Sequence, residues 1–190
     1  MLAAIGMTLE DLQIRLLARH LQLMLQWNRK INLTSVRSTG GIVKRHFGES
    51  LFLAKALQGE RGTVVDIGSG AGFPGFPIAV ANPGLDVTLV ESIGKKAAFL
   101  KEVARPVANA HVFHGRFEDL RERFNWAAVR GVATGKVLKQ MEYKATNLAL
   151  ILGAEEARSL LTSGFPWESP LRVPWEPTRC VLLGIVPRET

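Results

Sequence analysis

Four glycines fall within the ten residues DIGSGAGFPG, 66 to 75, directly behind the apolar run TVV. A strand that ends in such a turn lets a ligand lie against backbone, with the amides of the following helix facing it. Gly68, Gly70 and Gly72 are spaced G-x-G-x-G, and Phe73 stands where a dinucleotide fingerprint would have its third glycine. No Gly-Lys-Ser or Gly-Lys-Thr follows, which excludes a Walker phosphate loop. Asp66 sits at the end of the apolar run, where a cationic amino group or backbone amides can reach it. Glu91 closes the next run, DVTLVE, where a carboxylate is placed to accept hydrogen bonds from two neighbouring ribose hydroxyls. A third segment, GRFEDL at 115 to 120, follows a third run and is placed for an adenine edge. A nucleoside with a charged amino acid and a sulfonium, but no pyrophosphate, suits this set: S-adenosylmethionine. A nicotinamide or flavin nucleotide, or a sheet turn without a ligand, stays open on the glycines alone.

No other constellation supplies a nucleophile or a metal site. Cys180 is the only cysteine, so no intramolecular disulfide or thiolate zinc cluster can form, and its place in the apolar run CVLLGIV predicts a buried thiol. His111 and His114 lack ligand spacing with suitable partners, and His20 reads as a partly buried packing residue. The net charge is +7 and the pI about 10.0, with the excess leaning toward residues 1 to 60. That balance fits a polyanion such as RNA, or a merely solubilising surface. Lys30, Arg37, Lys44 and Arg45 are the phosphate candidates of this region. His46 lies beside two of them, and Asn32 and Thr34 are expected to fix the region to the remainder by hydrogen bonds.

The elements that must position these residues follow from the apolar periodicity. Residues 9 to 33 repeat at helical spacing behind Thr8 as a helix cap, and 43 to 57 form a second helical segment. TVVDIG, DVTLVES, AHVFHG, WAAVRG and NLALILGA read as strands, with helices at PGFPIAVANP and GKKAAFLKEVAR, near Glu118 and after Lys136. LRVPW and CVLLGIV are separated by too little chain for a crossover helix and are expected to pair antiparallel at a sheet edge. Trp167 and Trp175 read as packing anchors. The expected fold class is α/β, a Rossmann-like, mostly parallel sheet with an antiparallel edge strand. Residues 1–60 form a helical cap and 61–190 the sheet domain. No apolar run approaches the roughly 20 residues that cross a bilayer, and acids and arginines interrupt the amino end before a signal-peptide pattern is complete, so a cytoplasmic location is expected.

WNRKINLTSV, RHFGESL, VVDIGSGAGFPGFPIAV, VTLVESIGKKAAFLKEV and HGRFEDL together resemble the bacterial 16S rRNA guanine-N7 methyltransferase family, also called glucose-inhibited division protein B. The resemblance implies a class I S-adenosylmethionine-dependent methyltransferase fold. It implies methyl transfer to N7 of guanosine 527 in the 530 loop of 16S rRNA, within a 30S particle or assembly intermediate, by a monomer. It places Gly68, Ser69, Gly70, Gly72 and Phe73 along the cofactor, Glu91 at the ribose, and Phe117 with Glu118 on the adenine side. Arg130 and Arg116 are its expected contacts to substrate or cofactor, and His46 occupies a motif position. Two features depart from the pattern. The usual Ser-Arg-Ala is Val-Arg-Gly here, and NLALILGAEEARSLL lacks the usual lysine. A methyltransferase of another substrate and a noncatalytic RNA-binding or ribosome-assembly protein are the competing readings.

Overall fold

The computed structural model describes residues 1–131 and 144–187; the helix expected after Lys136 lies outside them. Seven strands form one sheet: β1 (Gly62–Ile67), β2 (Leu85–Glu91), β3 (Ala110–His114), β4 (Phe124–Arg130), β5 (Ala145–Gly153), β6 (Leu171–Arg172) and β7 (Arg179–Ile185). Their order is β3-β2-β1-β4-β5-β7-β6. The first five are parallel, while β7 runs antiparallel to β5 and to β6. The expected antiparallel tail is therefore present, with β7 inside the sheet and the two-residue β6 as its edge.

Alternation along the strands sorts side chains to two faces, as a pleat of period two requires. Val64, Val87, Leu89, Ala128 and Ile151 face one apolar cluster; Val65, Val90, Ala127, Leu150 and Leu182 face the other. The first cluster also takes in the helices α1 (Asp11–Trp27), α2 (Thr39–Ile42), α3 (Glu49–Ala56), α4 (Gly75–Ala81) and α5 (Gly94–Ala104). A π-helical segment, Val43–Gly48, joins α2 to α3. On the opposite face, Ala157 of α6 (Ala154–Leu161) joins the second cluster, which also takes in Phe117. Trp167 lies on Gly184, and Trp175 packs against Phe52 and the surface of Gly48, so both tryptophans anchor the tail as expected.

Polar ties reinforce the apolar contact of α1. Gln13 donates to the Val80 carbonyl at the end of α4 (2.8 Å), and Arg19 donates to the Glu102 (3.2 Å) and Val103 (3.4 Å) carbonyls in the last turn of α5. Those carbonyls have no partner within their own helices. Trp27 Nε1 adds a bond to the Glu102 carboxylate (3.1 Å).

Three local expectations are corrected. Glu10, not Thr8, caps α1, because Gln13 accepts from the Glu10 amide (2.8 Å) in a reciprocal capping box. The helix ends at Trp27 because the Asn28 side chain accepts from the Leu33 (2.9 Å) and Thr34 (3.0 Å) amides and turns the chain. The segment near Glu118 is a single turn, Phe117–Asp119, closed by the Asp119 carboxylate on the Arg116 amide (3.1 Å).

Met24 is fully buried in the cluster that α1 shares with the sheet. Met24→Ala is expected to cost about 2–5 kcal/mol in urea unfolding. The loss should appear in one transition seen alike by far-ultraviolet circular dichroism and tryptophan fluorescence.

Candidate cofactor bend and cationic cavity

The bend after β1 is built of residues 68 to 74. Gly68, Gly70 and Gly72 have φ of 68°, 57° and 90°, the left-handed region that side chains rarely adopt. The Ser69 carbonyl accepts from the Gly72 (2.7 Å) and Phe73 (3.1 Å) amides, and Ser69 Oγ donates to the Asp66 carbonyl (3.0 Å). Asp66 is fully buried, and its Oδ2 accepts from the Gly75 amide (2.9 Å), clamping β1 to the start of α4. Burial raises its pKa to about 7. Gly75 has no room for a side chain, since a Cβ there would meet Leu89 and Asp66.

Phe73 is buried between two imidazoles. Its ring stacks on His20 of α1 (4.8 Å between centroids) and on His46 (5.1 Å), with Phe47 edge-on at 4.9 Å. This position carries an aromatic ring because it joins the bend to the amino-terminal helices. His20 is fully buried, correcting the expectation of partial burial, and Nε2–H donates to the Ala71 carbonyl (2.7 Å). His46 Nε2 pairs with Thr34 Oγ1 (2.7 Å). Burial lowers both histidines to about 4, so both are neutral at pH 7. Thr34 thus reaches the bend through His46. The side chain that shapes this connection is Asn28 rather than the exposed Asn32.

Asp66 and Phe73 support the bend from beneath, leaving backbone on its open side. Gly68 is exposed, and a Cβ on Gly70 would find nothing nearer than the Gly68 carbonyl at 3.8 Å. The Glu91 carboxylate borders this surface, accepting from the Gly70 (3.0 Å) and Ile93 (2.8 Å) amides. Each of its oxygens keeps a further acceptor position. Ile93, missed in the sequence reading, is an exposed apolar side chain beside that carboxylate. Phe117 is buried under its one-turn helix, where Lys144 caps the Phe117, Glu118 and Leu120 carbonyls. A surface of backbone, a ribose-type acceptor and an apolar rim fits a nucleoside cofactor.

Across the point where the strand order reverses, between β1 and β4, lies a polar cavity of about 200 Å³. Arg45, His46, Arg130, Leu152, Glu156 and Arg179 are among its lining residues. Glu49, 1% exposed, accepts through Oε2 from Arg130 Nε (3.3 Å) and Nη2 (3.0 Å) and from Arg179 Nη2 (3.2 Å). Arg130 Nη2 also donates to the Arg45 carbonyl (3.1 Å). Neither Glu49 nor Arg179 was singled out from sequence. Lys44 pairs with Glu176 (3.7 Å), while Lys30 and Arg37 are exposed. Arg116 follows β3, three strand positions from β4 and Arg130, so the structure does not bring the two arginines together. Cys180 is buried as expected, and burial raises its thiol pKa.

Solved structures of methyltransferases share this architecture. The mitomycin 7-O-methyltransferase MmcR matches with a TM-score of 0.59 at 22% identity, covering 73% of this chain and 53% of its own. The 23S rRNA methyltransferase ErmE matches at 0.56 and 15%, covering 74% and 68%. A SAM-dependent methyltransferase from Aquifex aeolicus matches at 0.58 and 13%, covering 77% and 93%. The fold is that of the class I S-adenosylmethionine-dependent methyltransferases. Within that class, residues 13–156 match the family model for rRNA small subunit methyltransferase G, GidB, and the chain belongs to that family. Proteins named ribosomal RNA small subunit methyltransferase G from Leuconostoc citreum (36% identity over 146 residues) and Roseiflexus castenholzii (42% over 137) are similar to it. The matches cover 71% and 67% of this chain, and 61% and 58% of the relatives. The chain thus spans about three fifths of the length of those relatives. Among the described residues no helix is long and apolar enough to cross a membrane.

The buried titratable groups give a signed pH dependence. Unfolded imidazoles titrate near 6.5 and the folded ones at about 4, so unfolding takes up protons in that window and stability falls as pH falls. Asp66 acts in the opposite sense: its raised pKa gives stability below 3.8 that is lost as pH rises to about 7. Two imidazoles against one carboxylate leave a net uptake of about one proton. The unfolding free energy from urea titration is expected to drop by about 1 kcal/mol per unit between pH 6 and 5. Replacing His20 and His46 together with glutamine should reverse the sign of that slope.

Proposed function

We propose that this chain transfers a methyl group from S-adenosylmethionine to N7 of a guanosine in small-subunit rRNA, at position 527 of the 530 loop, within a cytoplasmic 30S particle or assembly intermediate. Its single strongest support is the pairing of a Glu91-edged glycine bend with an arginine-lined cavity on opposite sides of the strand-order reversal. Ligands of open α/β sheets bind at that reversal. Family membership supports small-subunit rRNA as the substrate class, and the guanine N7 acceptor rests on the sequence resemblance.

Bound there, the cofactor supplies a methyl carbon already activated as an electrophile. The chain's residues then have to place and exclude rather than to move protons. Guanine N7 carries an in-plane lone pair and no proton, so in-line displacement needs no general base. His46 fits this, being a neutral, stacked support at pH 7. Gly68, Ser69, Gly70 and Gly72 form the cofactor's backbone surface, with Asp66 and Phe73 holding its shape. Glu91 takes the ribose hydroxyls, Ile93 one face of the adenine, and the Phe117–Glu118 turn its edge. Arg130 and Arg45 face the incoming nucleotide, and Arg116 stands on the adenine side. Lys30, Arg37 and Lys44 extend the positive surface along the amino-terminal helices.

The deciding experiment maps N7-methylguanosine in small-subunit rRNA by mass spectrometry after the gene is removed and restored. Loss and return of the mark at one guanosine is expected; an unchanged map contradicts the reading. Gly70→Val forces a β-branched residue into the left-handed region on the cofactor surface. It should lower S-adenosylmethionine affinity by at least tenfold in calorimetric titration. Arg130→Ala should leave cofactor affinity within about twofold and reduce methyl transfer by about 10²-fold or more.

A further inference from the structure

Arg179 comes from β7, beyond residues 13–156 that match the family model, yet its side chain meets Arg130 of β4 on the one buried carboxylate of Glu49. The register delivers it: Arg179 is opposite Gly153 at the end of β5, beside the end of β4. Glu49 Oε2 takes only part of each guanidinium. The Nη1 groups of Arg130 and Arg179 make no bond to the described residues, and Arg179 Nε is buried without a partner. The guanidinium of Arg45, exposed, also has no partner among them. Among the described residues, three guanidiniums therefore adjoin this cavity, whose lining includes the Glu156 carboxylate, while Glu49 behind them pairs with two of the three.

The surroundings distinguish the kind of anion. A second cavity, about 390 Å³, adjoins the first, and Val36, Arg45 and Arg179 line both. Arg45 and Arg179 thus form a ridge between two neighbouring hollows. An isolated carboxylate needs one such hollow, whereas a nucleic-acid strand presents charges in series.

We propose that Arg179, with Arg130 and Arg45, forms a subsite for a backbone phosphodiester of the RNA strand, with Glu49 fixing the guanidiniums in place. A phosphodiester matches the planar donor fork and brings one negative charge to the unpaired guanidinium edges. Contacts of this kind set strand register and carry no base preference. The inference rests on the rRNA methyltransferase reading and adds to it a residue contributed by the tail.

The test measures binding of a fluorescein-labelled single-stranded RNA across a series of KCl concentrations, with S-adenosylmethionine affinity measured in parallel. One lost phosphate contact lowers the slope of log K against log salt by about 0.7. Arg179→Gln is expected to show that loss with binding weakened about tenfold, while Arg179→Lys keeps the slope and cofactor affinity is unchanged in both. As Arg179 also pairs with Glu49, the wild-type protein supplies a second readout: RNA should shield Arg45 and Arg179 from phenylglyoxal, located by peptide mass mapping. A wild-type slope in a folded Arg179→Gln variant, or no shielding of Arg179 in an RNA-bound protein, overturns the subsite. A fall in S-adenosylmethionine affinity without a change of RNA slope assigns the site to the cofactor's carboxylate and overturns it too. Failure of the wild-type protein to bind RNA overturns the function reading and the subsite together.

Discussion

The rest of the site depends on how the bend after β1 is held from below. Backbone cannot serve as a ligand surface unless it is rigid, and three left-handed glycines within five residues are intrinsically free. Two buried contacts remove that freedom. The Asp66 carboxylate ties the strand to the Gly75 amide, and the Phe73 ring is stacked between His20 and His46. The second contact joins the bend to the amino-terminal helices, so these helices support the site as well as covering the sheet. Its energetics require both imidazoles to be neutral, since a charge at either would be stranded in an apolar stack.

Around this support the sheet separates two tasks. The ends of β1 and β2 carry the glycine backbone and the Glu91 acceptor, while the ends of β4 and β5 open on a cavity whose cations come from several elements. Arg130 would be costly to bury alone, and Glu49 offsets that cost while fixing its fork. The chemistry proposed for such a layout is placement: a nucleophile without a proton to lose asks for orientation and exclusion of water, and no acid–base pair is needed.

Much of this was legible in sequence because its signals are local. Glycine spacing, an acid at a strand end and alternating apolar runs gave the strands, the bend and Glu91. WNRKINLTSV through HGRFEDL gave the family. Other features depend on distant partners. Nothing near Arg179 marks it as a site residue until the antiparallel pairing of β5 with β7 brings it to Glu49. Glu49 was visible in RHFGES as an acid one helical turn from Arg45 and His46, but its two arginines lie 81 and 130 residues away. His20 read as a partly buried packing residue because α1 gives no hint of the Phe73 ring lying over it. Thr8 looked like a cap because hydroxyl caps are common, whereas Glu10 and Gln13 form the reciprocal pair.

A crystal structure with S-adenosylhomocysteine bound tests the central claim most directly. The account predicts the nucleoside against the backbone of Gly68 to Gly70, its ribose hydroxyls on Glu91, and its sulfur directed toward the cavity beside Arg130. A nucleoside lodged elsewhere, or lying across the bend with its ribose away from Glu91, would contradict it.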